Sequence, residues 1–107
     1  MGVFNIFSKL NINEGVKKFR QTPNAILLDV RTEEEYSETH IDGSTNLPLQ
    51  KIEMATSIIS DKKKPLFVYC RSGARSAKAV AVLKKMGYTN VKDIDGILDY
   101  KDEIVKN

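Results

Sequence analysis

The chain of 107 residues reads as a three-layer α/β sandwich, a mainly parallel central sheet flanked by helices. Three observations carry that reading. Residues 25–30 and 65–69 are unalternated apolar runs, as expected of strands buried on both faces of a parallel sheet. Segments with apolar residues at helical spacing lie between and after them. Hydrophobic residues make up 41 % and charged residues 29 %, an ordinary globular balance for a chain near the usual size of one domain. A single domain over 1–107 is expected, with 1–11 as a lead-in and 12–106 as the domain proper.

The elements follow in order. Ile12, Val16 and Phe19 share one helix face, Asn13 is a candidate cap, and Thr22-Pro23-Asn24 closes the helix. The first buried strand runs into Thr32, which with Glu35 reads as a capping box opening a short helix. Asp42-Gly43-Ser44 is a turn signal. Residues 46–49 are extended at best, since Pro48 cannot donate to a ladder. Ile52, Ala55, Ile58 and Ile59 predict a helix that ends in Lys62-Lys63-Lys64, read as a solvated turn. After the second strand a helix is expected from 74 or 75 to 86, with Val80, Leu83, Val82 and Met86 apolar. Ala77 and Ala81 would let it approach the sheet, and Gly87 would stop it. Residues 90–94 predict a third strand, Asp95-Gly96 a turn, and 97–105 a final amphipathic helix.

Composition narrows the function. The net charge of +3 is spread along the chain with no basic arm, which argues against nucleic acid as a partner. One cysteine closes no internal disulfide and builds no cysteine zinc site, so neither a disulfide scaffold nor a metal is expected. No apolar run is long enough for a membrane span, and a cytoplasmic protein is the expectation. Phe4, Ile6, Phe7 and Leu10 form an amphipathic tip, read as packing on the body or in a contact between copies rather than on a membrane. The chain is otherwise expected to be a monomer.

The chemistry gathers at Cys70. It ends a buried strand, and ligand sites in open α/β sheets lie off the carboxyl ends of strands. Ser72, Gly73 and Ala74 are small enough for the backbone to curl its N–H groups toward one point ahead of a helix start, a nest that favours an anion. Such a field favours a thiolate at Cys70. Arg71 and Arg75, two of only four arginines, flank the loop, although cations oppose the dipole at that helix end. Their concentration there makes sense if an anion occupies the site. The plain alternative, a cysteine as small apolar filler beside solvated arginines, does not explain that placement.

Asp29-Val30-Arg31 with Glu35-Tyr36, the segment 40–48 from His40 to Pro48, and the segment 68–76 around Cys70 resemble the rhodanese-like domain. The likeness continues through 83–88 and Asp95-Gly96-Ile97. The resemblance implies a small α/β domain with a parallel sheet of about five strands and a sulfurtransferase activity without a cofactor. In it Cys70 takes a sulfane sulfur from thiosulfate or a persulfide donor and passes it to a thiol or cyanide. Arg71, Ser72, Gly73, Ala74, Arg75 and Ser76 would line the anion site, with Asp29 and Arg31 in support. The implied partners are a small anionic sulfur donor and a thiol acceptor, glutathione or a thioredoxin-like protein.

The chain departs from the family at Thr39, at Asp95 and at Tyr100, where a tryptophan is common. From Cys70 the closing Arg75 is five positions on, Cys-x4-Arg. The related phosphatases and arsenate reductases resemble Cys-x5-Arg, and here the sixth position is Ser76. The other rivals are a binding module with the chemistry unused and a redox sensor in which Cys70 is oxidised and repaired. His40, the sole histidine, sits in a turn that reads as structural, and Asp29 with Arg31 reads first as a charge pair tying loops together.

Overall fold

The computed structural model describes residues 10–107, and the lead-in tip other than Leu10 lies outside them. In chain order the elements are α1 (Ile12–Gln21), β1 (Ile26–Asp29), α2 (Glu33–Glu38), β2 (Thr39–His40), β3 (Ser44–Asn46), α3 (Ala55–Ile58), β4 (Leu66–Cys70), α4 (Ala74–Lys85), β5 (Val91–Gly96) and β6 (Val105–Lys106). Four described strands make a parallel sheet in the order β3-β1-β4-β5, and β2 pairs antiparallel with β6. The described main sheet thus has one strand fewer than the resemblance implied.

Alternation along the strands builds the three layers. Leu28, Val30, Leu66, Val68 and Cys70 point to one face, where Ala55, Ile59, Ala79, Leu83 and Tyr88 cover them. Leu27, Phe67, Tyr69 and Ile94 point to the other, against Ile12 and Val16 of α1. On that face Gly15 brings α1 down on β5, where a Cβ would lie 2.4 Å from the Ile94 side chain.

Several expectations need correction. Asn11, not Asn13, caps α1 by accepting the Glu14 N–H at 2.9 Å. Asn13 instead ties α1 to the C-terminal segment, donating to the Asp99 carbonyl and accepting from Lys101 N–H. Residues 49–58 form a 3₁₀ stretch, Leu49–Met54, and then one α-helical turn, which buries Ile52, Ala55 and Ile59 but leaves Ile58 exposed. Ala77 and Ala81 face solvent, and Ser76 and Ala79 are the small residues against the sheet. Asp95 and Gly96 continue β5 instead of turning after it. The final helix is a single 3₁₀ turn, Ile97–Asp99, because His40 and Thr39 offer a strand edge on which Val105 and Lys106 pair. Lys62 is more than a solvated charge: its Nζ donates to the Met86 carbonyl at the end of α4 and lies 4.6 Å from the centre of the Tyr88 ring. The capping box stands as read, and Gly87 stops α4 at φ +104°.

Strand order places the site. From β1 the chain steps to β3 on one side, then crosses to β4 on the other and on to β5. The direction reverses between β1 and β4, and the crevice at their carboxyl ends is where such sheets bind ligands. Asp29 and Cys70 end those two strands. No helix among the described residues is long and apolar enough to cross a membrane.

Candidate active site

Cys70 is 1 % exposed, at the floor of the turn from β4 into α4. The Gly73 N–H donates to Cys70 Sγ at 2.9 Å, so a loop amide does point at the sulfur. Gly73 reaches that geometry at φ +109°, a conformation that a side chain would strain. Behind the sulfur, Ser76 Oγ lies 3.6 Å away at the start of α4. Ser72 and Ala74 are exposed at the loop's rim, as is Arg71.

The two arginines have different surroundings. Arg75 makes a two-pronged pair with Glu35 of α2, at 2.7 and 3.0 Å. Those hydrogen bonds hold the Glu35 carboxyl down at about 2 against the opposing effect of burial, with Thr32 adding to them. Arg75 is raised in turn, and the Cys70 sulfur contributes to that shift. Among the described residues Arg71 has no ion-pair partner, and it is exposed to solvent.

Asp29 and Arg31 form a buried pair beside the loop, 0 % and 4 % exposed. Arg31 donates from Nε and a terminal nitrogen to the Asp29 carboxylate and from its backbone N–H to the same group, and it also reaches the Thr39 carbonyl. Burial pulls the guanidinium down, and the hydrogen bonds and charge of Asp29 outweigh it, leaving Arg31 raised. Val30 N–H meanwhile donates to the Tyr69 carbonyl, one residue before the cysteine. The pair therefore fixes the turn at the β1 end and ties it to the start of β2 through the Thr39 carbonyl. His40 stacks on Tyr36 at 3.9 Å and shares a hydrogen bond with that residue's carbonyl, within the α2–β2 corner.

Two contributors were not legible in the sequence as site residues. Gly96 lies directly beneath the loop: β4 and β5 pair Cys70 with Gly96, and a Cβ there would stand 2.2 Å from the Arg71 carbonyl oxygen. Glycine ahead of an apolar residue reads as a turn, and only the pairing shows that the turn of another segment rests on it. Asp93, on the same strand, accepts from Ser76 Oγ at 2.8 Å. The expected site residues from Cys70 to Ser76 form one loop, and Asp29 and Arg31 stand at the neighbouring strand end.

With that geometry in hand, comparison with known proteins assigns the family. A model of the rhodanese-like domain matches residues 13–100. The chain is 37 % identical over 73 residues to thiosulfate sulfurtransferase PspE of Escherichia coli, covering 67 % of this chain and 70 % of that protein. A putative mitochondrial thiosulfate sulfurtransferase of Schizosaccharomyces pombe is 37 % identical over 94 residues, covering 76 % of this chain and 66 % of its own length. A solved E. coli rhodanese with anions superposes with a TM-score of 0.71 at 34 % identity, over 78 % of this chain and 99 % of that one. The chain belongs to the rhodanese-like domain family.

Two measurements test this account of the site. Gly96→Ala forces the Arg71 backbone upward and lowers stability by about 1–3 kcal/mol, read by thermal unfolding. The Glu35–Arg75 pair is expected to contribute on the order of 1 kcal/mol, because both side chains remain part-exposed. Its contribution is complete above pH 4.5, where the unfolded chain is also ionised, and is lost as pH falls toward 2, where the folded carboxyl takes its proton. Glu35→Gln lowers stability at pH 7 and flattens the acid limb of a stability–pH curve. An unchanged limb contradicts the pairing.

Proposed function

We propose that this protein is a sulfurtransferase that carries a sulfane sulfur on Cys70. The observation that supports it most is the Gly73 amide set 2.9 Å from a sulfur at the end of β4, with Arg71, exposed and without an ion-pair partner among the described residues, next in the chain. An N–H donor on sulfur favours the anion, whether thiolate before transfer or persulfide after it. Relatives named thiosulfate sulfurtransferase agree with that reading.

The reaction has two displacements. The Cys70 thiolate attacks the outer sulfur of thiosulfate or of a persulfide donor. A new S–S bond forms on Cys70, the donor's S–S bond breaks, and sulfite or a thiolate leaves with the electron pair. A thiol such as glutathione or a thioredoxin-like protein, or cyanide, then attacks the outer sulfur, and Cys70 leaves as thiolate. Both leaving groups are stable anions, so the site needs no general acid. Arg71 holds the anionic donor. Arg75, engaged by Glu35, adds positive field and anchors the loop to α2. The four intervening residues between Cys70 and Arg75 suit this chemistry rather than the longer loop of phosphatases. A reducing compartment, the cytoplasm, keeps the sole thiol available.

Intact mass after brief incubation with thiosulfate should show gain of one sulfur atom, reversed by cyanide and absent in Cys70→Ser. No gain from thiosulfate or glutathione persulfide, with the protein folded, would make the domain a binding module. Arg71→Ala should raise KM for thiosulfate about tenfold, the loss of one charge-assisted contact, with a smaller change in kcat. Initial rates at varied donor and acceptor should give parallel lines, and intersecting lines exclude the two-displacement scheme.

A further inference from the structure

Ser76 stands between a thiol and a carboxylate. Its Oγ is 3.6 Å from Cys70 Sγ and 2.8 Å from Asp93 Oδ1, with the carbonyl oxygens of Gly73 at 3.0 Å and Asp95 at 3.5 Å. The three oxygens accept and do not donate, and the hydroxyl has one proton to give. The shortest of these contacts is the one to the carboxylate, and bonds to an ionised acceptor are the strong ones. The Asp93 carboxylate is itself aimed by the Asp95 N–H, which donates to the same Oδ1 at 2.9 Å from a residue at φ +77°. The Ser76 proton therefore rests on the Asp93 side, and the oxygen turns a lone pair toward sulfur. A thiol can donate to that lone pair, and a thiolate is repelled by it.

We propose that Asp93 is a positioning residue for Cys70: by holding the Ser76 proton, it makes the hydroxyl an acceptor toward the sulfur and so moderates the bias toward thiolate that the Gly73 amide creates. This rests on the reading of Cys70 as the nucleophile. It opposes the Gly73 amide, which favours the thiolate from the other side. Among the described residues the charged groups around the loop include Arg71 at its rim, Arg75 with Glu35 of α2, Asp29 with Arg31 at the end of β1, and Asp95 beside Asp93 on β5. A thiol is oxidised less readily than a thiolate, so moderating the thiolate slows oxidation of the single cysteine between turnovers.

The test is the rate of Cys70 alkylation by iodoacetamide against pH, in wild type, Asp93→Asn, Ser76→Ala and the double variant. Asparagine keeps an oxygen for the Asp95 N–H but loses the charge that captures the Ser76 proton. Asp93→Asn should move the half-maximal pH down by about half a unit or more, about threefold faster alkylation on the acid side. Ser76→Ala should also move it down, because the acceptor on the thiol is gone. Asp93→Asn made in the Ser76→Ala background should then shift it no further. No shift from Asp93→Asn with serine present overturns the proposal, as does an equal shift with alanine present, which marks charge acting through space. Should Asp93→Asn fail to fold by circular dichroism, Ser76→Ala decides alone: an unchanged or raised half-maximal pH overturns the proposal. Alkylation needs no sulfur donor, so this outcome is separate from that of the thiosulfate mass measurement.

Discussion

The turn from β4 into α4 lies on the backbone of β5 with no room for a side chain between them. A Cβ on residue 96 would meet the Arg71 carbonyl and the Ser72 Cα inside 3 Å. That contact holds the loop down, and the Leu98 N–H completes it by donating to the same Arg71 carbonyl. With residues 71 and 72 pinned, Gly73 must curl at positive φ to enter the helix, and this curl brings its amide to the sulfur. The placement of that amide against the sulfur is thus a consequence of how closely two strands' ends approach.

Charge secures the other side. Two carboxylate–guanidinium pairs bracket the loop, one buried and one at the surface, and they do different things. Asp29 and Arg31 are both withdrawn from water, and such a pair adds little net stability but is costly to break, by about 3–5 kcal/mol when one partner is removed. Its value is geometric, since it fixes the turn at the β1 end and ties it to Thr39. Glu35 and Arg75 keep contact with solvent and contribute less, but they reach from α2 to α4 and hold the α2 corner to the loop. With Arg75 taken into that pair, Arg71 is the loop arginine with no ion-pair partner among the described residues.

Local signals were legible wherever the chain's own neighbours decide the outcome. The Thr32–Glu35 capping box, the stop at Gly87 and the buried runs of β1 and β4 all behave as their residues predict. Legibility failed where a distant segment supplies the partner. Asn13 reads as the cap of α1, but Asn11 takes that role and Asn13 is engaged by residues 99 and 101. Residues 97–105 have a helical pattern that yields to pairing with residues 39–40. Ala77 and Ala81 looked like the packing face of α4, but the entry angle at Gly73 rotates Ser76 and Ala79 inward instead.

By itself the sequence determined the α/β layering, the position of Cys70 at a strand end, and the loop of four residues between it and Arg75. Each of these depends on periodicity or spacing within one segment. Only the tertiary structure decided which arginine is paired, that Gly96 supports the loop, and that Asp93 reaches Ser76. Those contacts join residues 17 to 40 positions apart, or lie across neighbouring strands, and their geometry exists only once β5 and α2 have packed beside β4.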